Sequence, residues 1–152
     1  MLAPVSFSLL NVVPVLPRFL EAYPGIRVDL QLSDALLDLV ENRIDVAIRL
    51  GPLQDSSYIG QELASMRPRV CASPGFVERH GAPKRPADLA KLPCLLLDMP
   101  GFGSRWRYRD ARGRESHVDV EGRLKTSNAV ALKQLALSGL GAILQAEWIV
   151  GR

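Results

Sequence analysis

The feature that most constrains the fold is the pattern of residues 24–51. It predicts a strand with alternating side chains, a short helix capped by Ser33 or Asp34, and a second strand that is apolar until Arg49. A strand buried on both faces is typical of a parallel sheet, and parallel sheets bind small ligands at the carboxyl ends of their strands. The predicted bounds are 26–32 for the first strand, 34–42 for the helix and 45–50 for the second strand.

The rest of the chain predicts further α/β structure. Apolar residues at steps of three and four indicate a helix over 7–23, with Ser6 as N-cap and a kink or restart near Pro14. We expect two lobes, residues 1–71 and residues 72–152. Further strands are predicted at 58–63, 69–72, 94–97, 124–126 and 141–144, helical segments at 73–79 and 86–92, a helix capped by Ser127 and ending at Gly139, and a hairpin over 106–120.

Composition narrows the function classes. The 152 residues are 47% hydrophobic, which is enough for a sizeable core. A net charge of +3 does not by itself indicate nucleic-acid binding, which needs basic residues clustered on one face. Cys71 and Cys94 show neither zinc-ligand spacing nor a Cys-x-x-Cys pair, so they predict reduced thiols, as in a cytoplasmic protein.

Neither export nor membrane insertion is predicted. No run reaches the ~18 apolar residues of a membrane span, and prolines interrupt the first apolar stretch. The chain opens directly into Ala3-Pro4 without a preceding strand and stops inside an apolar segment at 147–152. We therefore expect a soluble, cytoplasmic piece of a longer protein.

Helix starts after strands are the first candidate ligand groups. Ser6, Ser33 and Ser127-Asn128 stand where unpaired backbone N–H groups attract carboxylate or phosphate. The alternative for each is a simple cap. Arg49, at the carboxyl end of its strand, either grips a carboxylate in a bidentate fork or pairs with a nearby acid or solvent.

Other reactive residues favour structural roles. Cys71 with His80 has no residue placed to orient the histidine, and none of the common phosphate-loop, dinucleotide, zinc-protease or serine-hydrolase motifs occurs. The five arginines between 105 and 114, interleaved with Trp106 and Tyr108, could bind single-stranded nucleic acid. Nearby acids offset their charge, so an exposed hairpin with one packed face is the favoured interpretation. We predict no enzyme and no metal site.

Several segments together resemble the effector-binding domain of LysR-type transcriptional regulators, over nearly the whole chain and in order. They are Ala3-Pro4-Val5-Ser6-Phe7, Phe19-Leu20-Glu21-Ala22-Tyr23-Pro24, Leu32-Ser33-Asp34, residues 40–51, Asp55-Ser56-Ser57, Cys71-Ala72-Ser73-Pro74, Ser127-Asn128 and residues 136–144.

The resemblance implies two Rossmann-like lobes of the type II periplasmic-binding-protein kind, with a small effector, expected to be a carboxylate, in the cleft between them. It implies no cofactor, a homodimer or tetramer, and DNA binding only through a helix-turn-helix domain absent from this chain. It implies an incomplete first lobe, and Gln145-Ala146 departs from the Leu-Pro of many members. The implied effector contacts are Ser6, Phe7, Ser33, Arg49, Gly51, Cys71, Ser73, Ser127 and Asn128.

Two rival functions remain open from the sequence. A solute-binding receptor of the same architecture would need an export signal, and none is visible. A small enzyme would need a reactive Cys71 or a functional arginine-rich loop.

Overall fold

The computed structural model describes residues 1–35, 37–51, 58–99, 101–110 and 112–151, so the Asp55-Ser56-Ser57 match lies outside the described residues. The chain forms two compact units, Met1–Gly60 and Gln61–Arg152. Strand β3 (Pro68–Cys71) pairs within the second unit, so the division by contacts precedes the predicted boundary at residue 71. The assignment of 1–71 and 72–152 to two effector-binding lobes stays a prediction.

The first unit is built around a two-residue strand, β1 (Leu2–Ala3). It pairs in parallel with β2 (Gln31–Leu32) on one side and with Ala47 on the other. Backbone hydrogen bonds of 2.9 Å join Leu2 N to Val46 O and Ile48 N to Leu2 O. The expectation that no strand precedes Ala3 is therefore wrong, because two residues are too short for any periodicity to reveal.

The predicted strand–helix–strand is only partly formed. Pairing in the first strand is confined to β2, and residues 39–43 form turns rather than the predicted helix; Leu36 lies outside the described residues. The Asp38 carboxylate accepts hydrogen bonds from Val40 N and Glu41 N at 2.8 and 2.9 Å. Arg43 then has a positive φ of 52°, which ends the turn. Asp38 thus competes with the helix for the same N–H groups.

The N-terminal helix, Val5–Ala22, changes its winding at the prolines. It runs through α1 (Val5–Phe7), a π-helical stretch (Ser8–Val12), a 3₁₀ turn (Val13–Val15) and α2 (Leu16–Ala22). The predicted kink or restart near Pro14 takes the form of a 3₁₀ turn between the π-helical stretch and α2, where proline removes a backbone donor. The N-cap is Pro4 rather than the predicted Ser6, which lies buried inside the first turn.

By length and composition, the N-terminal helix is also the one candidate membrane span among the described residues. One such helix is weak evidence, because the core helix of a soluble protein passes the same test. Its Ser6, Ser8 and Val12 are buried, whereas its Leu9 and Val15 are more than half exposed. The buried side chains therefore lie in the N-terminal half of the helix, and residues 17–22 are exposed.

The second unit contains a four-stranded sheet in the order β3-β8-β4-β7. Strands β4 (Cys94–Leu97), β7 (Gly122–Thr126) and β8 (Ala142–Ala146) are parallel, and β3 is an antiparallel edge strand. Every residue of β8 is buried, as a central strand covered on both faces requires. The predicted strands at 69–72, 94–97, 124–126 and 141–144 are confirmed, but residues 58–63 contain no strand.

Helices α3 (Pro74–His80), α4 (Ala129–Leu137) and α5 (Glu147–Val150) belong to this unit, together with a 3₁₀ helix, Pro86–Lys91. The predicted hairpin is present as β5 (Arg105–Arg109) and β6 (Glu115–Asp119), although Ala111 of its turn lies outside the described residues. Gly139 follows α4 with a φ of +79°, the conformation predicted for it.

Gly141 provides a test of this packing. A Cβ there would lie 2.9 Å from the Pro93 carbonyl oxygen and 3.0 Å from Leu95 Cγ, in a buried position where backbone has to move. We expect Gly141→Ala to lower the free energy of unfolding by about 1–3 kcal/mol in urea titrations. Gly103→Ala is the matched control, because nothing lies within 4 Å of its added Cβ. Equal effects of the two substitutions would contradict the packing.

Candidate functional site

The carboxyl ends of the first unit's parallel strands meet at one edge of its sheet. Ser33 N donates to Ala3 O at 3.1 Å, so the residues following β1 and β2 are neighbours. Arg49 lies two residues after Ala47, which forms a parallel bridge with Leu2, so Arg49 stands at the same edge. The structure therefore places the first-unit candidates Ser6, Ser33 and Arg49 at one edge of this sheet.

An acidic side chain already occupies the start of the N-terminal helix. Asp34 Oδ1 accepts a hydrogen bond from Val5 N at 3.0 Å. Helix N-termini favour anions because their first N–H groups are unpaired. Here the protein supplies an anion itself, so a ligand carboxylate would have to displace Asp34 to reach the Val5 N–H. The Ser33 hydroxyl accepts from Ala35 N at 3.1 Å and shapes the same turn.

The remaining first-unit candidates are Arg49, Gly51 and Phe7. Of these, Arg49 is charged, and its side chain is exposed. One guanidinium nitrogen of Arg49 donates to the Leu37 carbonyl oxygen at 2.8 Å, while the side chain stays exposed. Gly51 has a φ of +107°, which only glycine adopts readily. Phe7 lies half-buried in the first turn of the helix. Arg49 is therefore the cation of this edge that a carboxylate can still engage.

In the second unit the same kind of edge is formed by the ends of β4, β7 and β8. Asn128 caps α4: its Oδ1 accepts from Val130 N at 3.1 Å and from Ala131 N at 3.0 Å. Asn128 N itself donates to Thr126 Oγ1 at 3.2 Å. The predicted cap, Ser127, is one residue too early and remains exposed. As at the first unit's helix, the protein's own oxygens satisfy the N–H groups.

Cys71 and Ser73 lie at the opposite edge of this sheet. Strand β3 is antiparallel to β8, and Cys71 pairs with Ile143 near the start of β8. The Ser73 hydroxyl caps α3 by accepting from Phe76 N at 3.3 Å, and it lies beside Gly139, past the end of α4. Asn128 stands at the start of α4, and Ser73 lies beyond its end. Because a helix rises ~1.5 Å per residue, the length of α4 separates the two residues by about 15 Å. The second-unit candidates therefore do not converge.

The thiol environments do not favour nucleophilic chemistry. Burial raises the pKa of Cys71, although Arg69 partly opposes the shift, and burial raises the pKa of Cys94 to about 11. A raised pKa leaves little thiolate at neutral pH. Cys71 instead lines a groove of about 530 Å³ beside β3, together with Val70, Ser73, Lys133 and Leu137.

The arginine-rich hairpin is an ion-paired surface ribbon. Trp106 is buried, and its indole N–H donates to the Gly103 carbonyl at 2.9 Å, so it offers no stacking platform for a base. Arg105 pairs with Asp119 directly across the ribbon at 3.0 Å. Arg114 donates hydrogen bonds to the Asp110 carboxylate from its backbone N–H, which has the larger effect, and from its guanidinium. These bonds hold the pKa of Asp110 below its usual range. The predicted exposed hairpin with one packed face is confirmed.

Within the part of the chain that the structure describes, no group of three or more His, Cys, Asp or Glu residues is placed to hold a metal ion.

Comparison with models of known protein families identifies the family of this chain. Residues 1–152 match the family model of the LysR substrate binding domain from end to end. The chain belongs to this LysR family.

The relatives of this LysR domain are transcriptional regulators rather than enzymes. It is 34% identical over 137 residues to the HTH-type transcriptional regulator CrgA of Neisseria meningitidis serogroup B, which covers 90% of this chain and 45% of CrgA. It is 36% identical over 142 residues to DmlR of Escherichia coli K12, covering 91% of this chain and 45% of DmlR. The chain therefore spans less than half the length of these relatives.

Solved structures place the LysR domain among regulatory domains. The CrgA regulatory domain of Neisseria meningitidis aligns with a TM-score of 0.84 and 31% identity, covering 99% of this chain and 72% of that one. The regulatory domain of AphB from Vibrio vulnificus aligns with a TM-score of 0.81 and 26% identity, covering 99% and 75%. The predicted type II periplasmic-binding-protein-like α/β fold and the effector-binding domain of a LysR-type regulator are confirmed, and the regulator is favoured over the solute receptor.

Two polar residues at these edges were not predicted as contacts of the site. Asp34 stands next to Ser33 in the sequence, but only tertiary structure reveals its bond to Val5. Gln145 is buried in β8, and its amide reaches the first turn of α4, where its Nε2 lies 3.2 Å from the Ala129 carbonyl oxygen. The sequence did contain a signal for the Gln145 contact, namely a single glutamine in an apolar strand, because a buried amide needs hydrogen-bond partners.

The assignment of Asn128 rather than Ser127 as the N-cap of α4 can be tested with two substitutions. We expect Asn128→Ala to lower the free energy of unfolding by about 1 kcal/mol, because two N–H groups of α4 lose their acceptor. Ser127→Ala should change it by less than about 0.5 kcal/mol, since an exposed serine holds no cap there. Urea denaturation of both variants measures the difference. A larger loss in Ser127→Ala would restore the sequence-based assignment of the cap.

Proposed function

We propose that this domain senses a small anionic effector, and that the carboxyl-end edge of the parallel sheet in each unit, taken by itself, offers candidate contacts for it. The observation that carries the proposal is the placement of Ser6, Ser33 and Arg49 at one such edge. Ser127 and Asn128 stand at the equivalent edge of the second sheet. Ligands of open parallel sheets bind at these edges because the strand-to-helix turns present polar groups there.

Arg49 is the proposed receptor for the effector's carboxylate. One guanidinium nitrogen donates to the Leu37 carbonyl oxygen, and the residue as a whole is exposed. A planar guanidinium binds a carboxylate with two parallel hydrogen bonds. Asp34 and Asn128 already serve the helix N–H groups, so side chains rather than helix ends supply the affinity. Gly51, two residues after Arg49, contributes the positive φ of the chain at this edge.

Cys71 and Ser73 do not belong to this effector site. Their position at the other edge of the second unit's sheet means that an effector at Asn128 would not reach them. Phe7 remains a proposed contact, because it lies one residue from Ser6 in the first turn. The proposed set is therefore Ser6, Phe7, Ser33, Arg49, Gly51, Ser127 and Asn128.

In the complete protein we propose that effector binding controls transcription from the cytoplasm. The effector must bind one arrangement of the regulator more tightly than another, since equal affinity shifts no equilibrium. DNA binding would reside in a helix-turn-helix domain outside residues 1–152, and the signal would pass through a homodimer or tetramer. The names of CrgA and DmlR, both HTH-type regulators, support this role.

The proposal is tested by titrating the folded chain with succinate and benzoate in thermal-shift and calorimetric experiments. A carboxylate that binds the folded state should raise Tm with its concentration. We expect Arg49→Ala to weaken that binding at least tenfold, or about 1.4 kcal/mol, through loss of the bidentate contact. Arg27→Ala is the matched control, because Arg27 is exposed and lies before β2 rather than after it. Binding that survives Arg49→Ala would rule out Arg49 as the receptor.

Self-association is tested separately on the N-terminal helix. Its Leu9 and Val15 are both more than half exposed, and an oligomer that packs on this helix would cover such apolar side chains. We expect the double substitution Leu9→Lys and Val15→Lys to raise the dimer dissociation constant at least tenfold by sedimentation velocity. Val40→Lys, at an exposed position in a turn of the same unit, is the control. A monomeric wild type, or equal weakening by the control, would contradict this surface.

A further inference from the structure

The buried side chain of Gln145 joins β8 to the start of α4. Gln145 is 1% exposed, and all its neighbours in β8 are apolar or alanine. Its Nε2 donates to the Ala129 carbonyl oxygen at 3.2 Å, and its Oε1 accepts from Ala146 N at 3.0 Å. A buried amide without partners is strongly unfavourable, and here both its nitrogen and its oxygen are engaged.

The position of this link gives it more than a packing role. Ala129 is the first residue of α4, directly after the cap Asn128. The Ala146 N–H holds the amide oxygen, and this fixes which way the amide nitrogen points. The two bonds together set the distance between the carboxyl end of β8 and the first turn of α4.

Two other side-chain hydrogen bonds connect α4, or the residue past its end, to neighbouring elements at other positions along the helix. Lys133 Nζ donates to the Ile149 carbonyl at 2.7 Å, and Arg79 donates to the Gly139 carbonyl at 2.8 Å beyond the end of the helix. Of these three bonds, the one from Gln145 falls on the turn that follows Asn128.

We propose that Gln145 is a positioning residue, which fixes Asn128 and Ser127 at the effector-facing edge by anchoring the first turn of α4 to β8. The inference rests on the proposed function, since position matters only if an effector touches this edge. Gln145 itself touches no effector. Its removal therefore loosens one end of α4, and effector affinity falls because Asn128 and Ser127 are no longer held in place.

The test compares Gln145→Met with Lys133→Met in the full chain. Methionine preserves most of the buried volume of glutamine but cannot donate to Ala129. Residue-resolved hydrogen exchange is measured for Val130 and Ala131 in the first turn of α4, relative to Ser138 and Gly139 at its end. In Gln145→Met we expect the first-turn amides to exchange about five- to tenfold faster relative to the far end, which corresponds to one buried hydrogen bond. Lys133→Met should leave this ratio unchanged.

A second variant keeps the glutamine if methionine prevents folding. Ala146 has φ −66° and ψ 142°, a backbone conformation that proline adopts. Ala146→Pro removes the N–H that holds Oε1 and adds two ring carbons at this buried position, and it should raise the same exchange ratio. An unchanged ratio in both variants, or an equal change in Lys133→Met, would overturn the positioning role.

Succinate affinity separates this inference from the proposed function. If the wild type binds succinate, Gln145→Met should weaken binding three- to tenfold while Lys133→Met should not. Equal affinities in all three proteins would overturn the positioning role in effector binding. If the wild type binds neither succinate nor benzoate, the proposed carboxylate function fails, whereas a raised exchange ratio would still establish the anchoring of α4.

Discussion

Parallel strand pairing is the constraint on which the rest of this structure depends. In the first unit β1 pairs on both sides, and in the second unit β4 pairs in parallel with β7 and β8. Parallel pairing sends every carboxyl end to the same edge of a sheet. Within the first unit this geometry places the polar turns at Ser33 and Arg49 at one edge, and within the second unit it places Asn128 at the corresponding edge of that sheet.

The helix starts at these edges are satisfied by the protein itself. Asp34 bonds the first turn of the N-terminal helix, and Asn128 bonds the first turn of α4. Internal caps stabilise the folded state, and they also remove the N–H groups that would otherwise attract any small anion. In the proposed function, selectivity for an effector comes from side chains, such as Arg49 in the first unit, where the Leu37 carbonyl holds it, and Asn128 in the second, where Gln145 anchors the first turn of α4.

Much of this could be predicted from the sequence, and the failures have identifiable causes. The strand 94–97, the hairpin and the Gly139 helix end follow from local periodicity and φ preferences, and local signals were sufficient. The helix predicted over 34–42 failed because Asp38 forms a competing turn. The convergence of Cys71 and Ser73 with Asn128 failed because the antiparallel direction of β3 is a property of the whole sheet, which no local pattern encodes.

The central claim is that the carboxyl-end edge of a unit's parallel sheet, with Arg49 as the cation in the first unit, supplies the contacts of an anionic effector. The most direct measurement is a map of backbone amide chemical-shift changes on titration of the full chain with succinate. The account predicts saturating changes at Ser33, Arg49 and Asn128 with little change at Cys71 and Ser73. Changes confined to Cys71 and Ser73, beside the groove, or no saturating change at either edge, would contradict it.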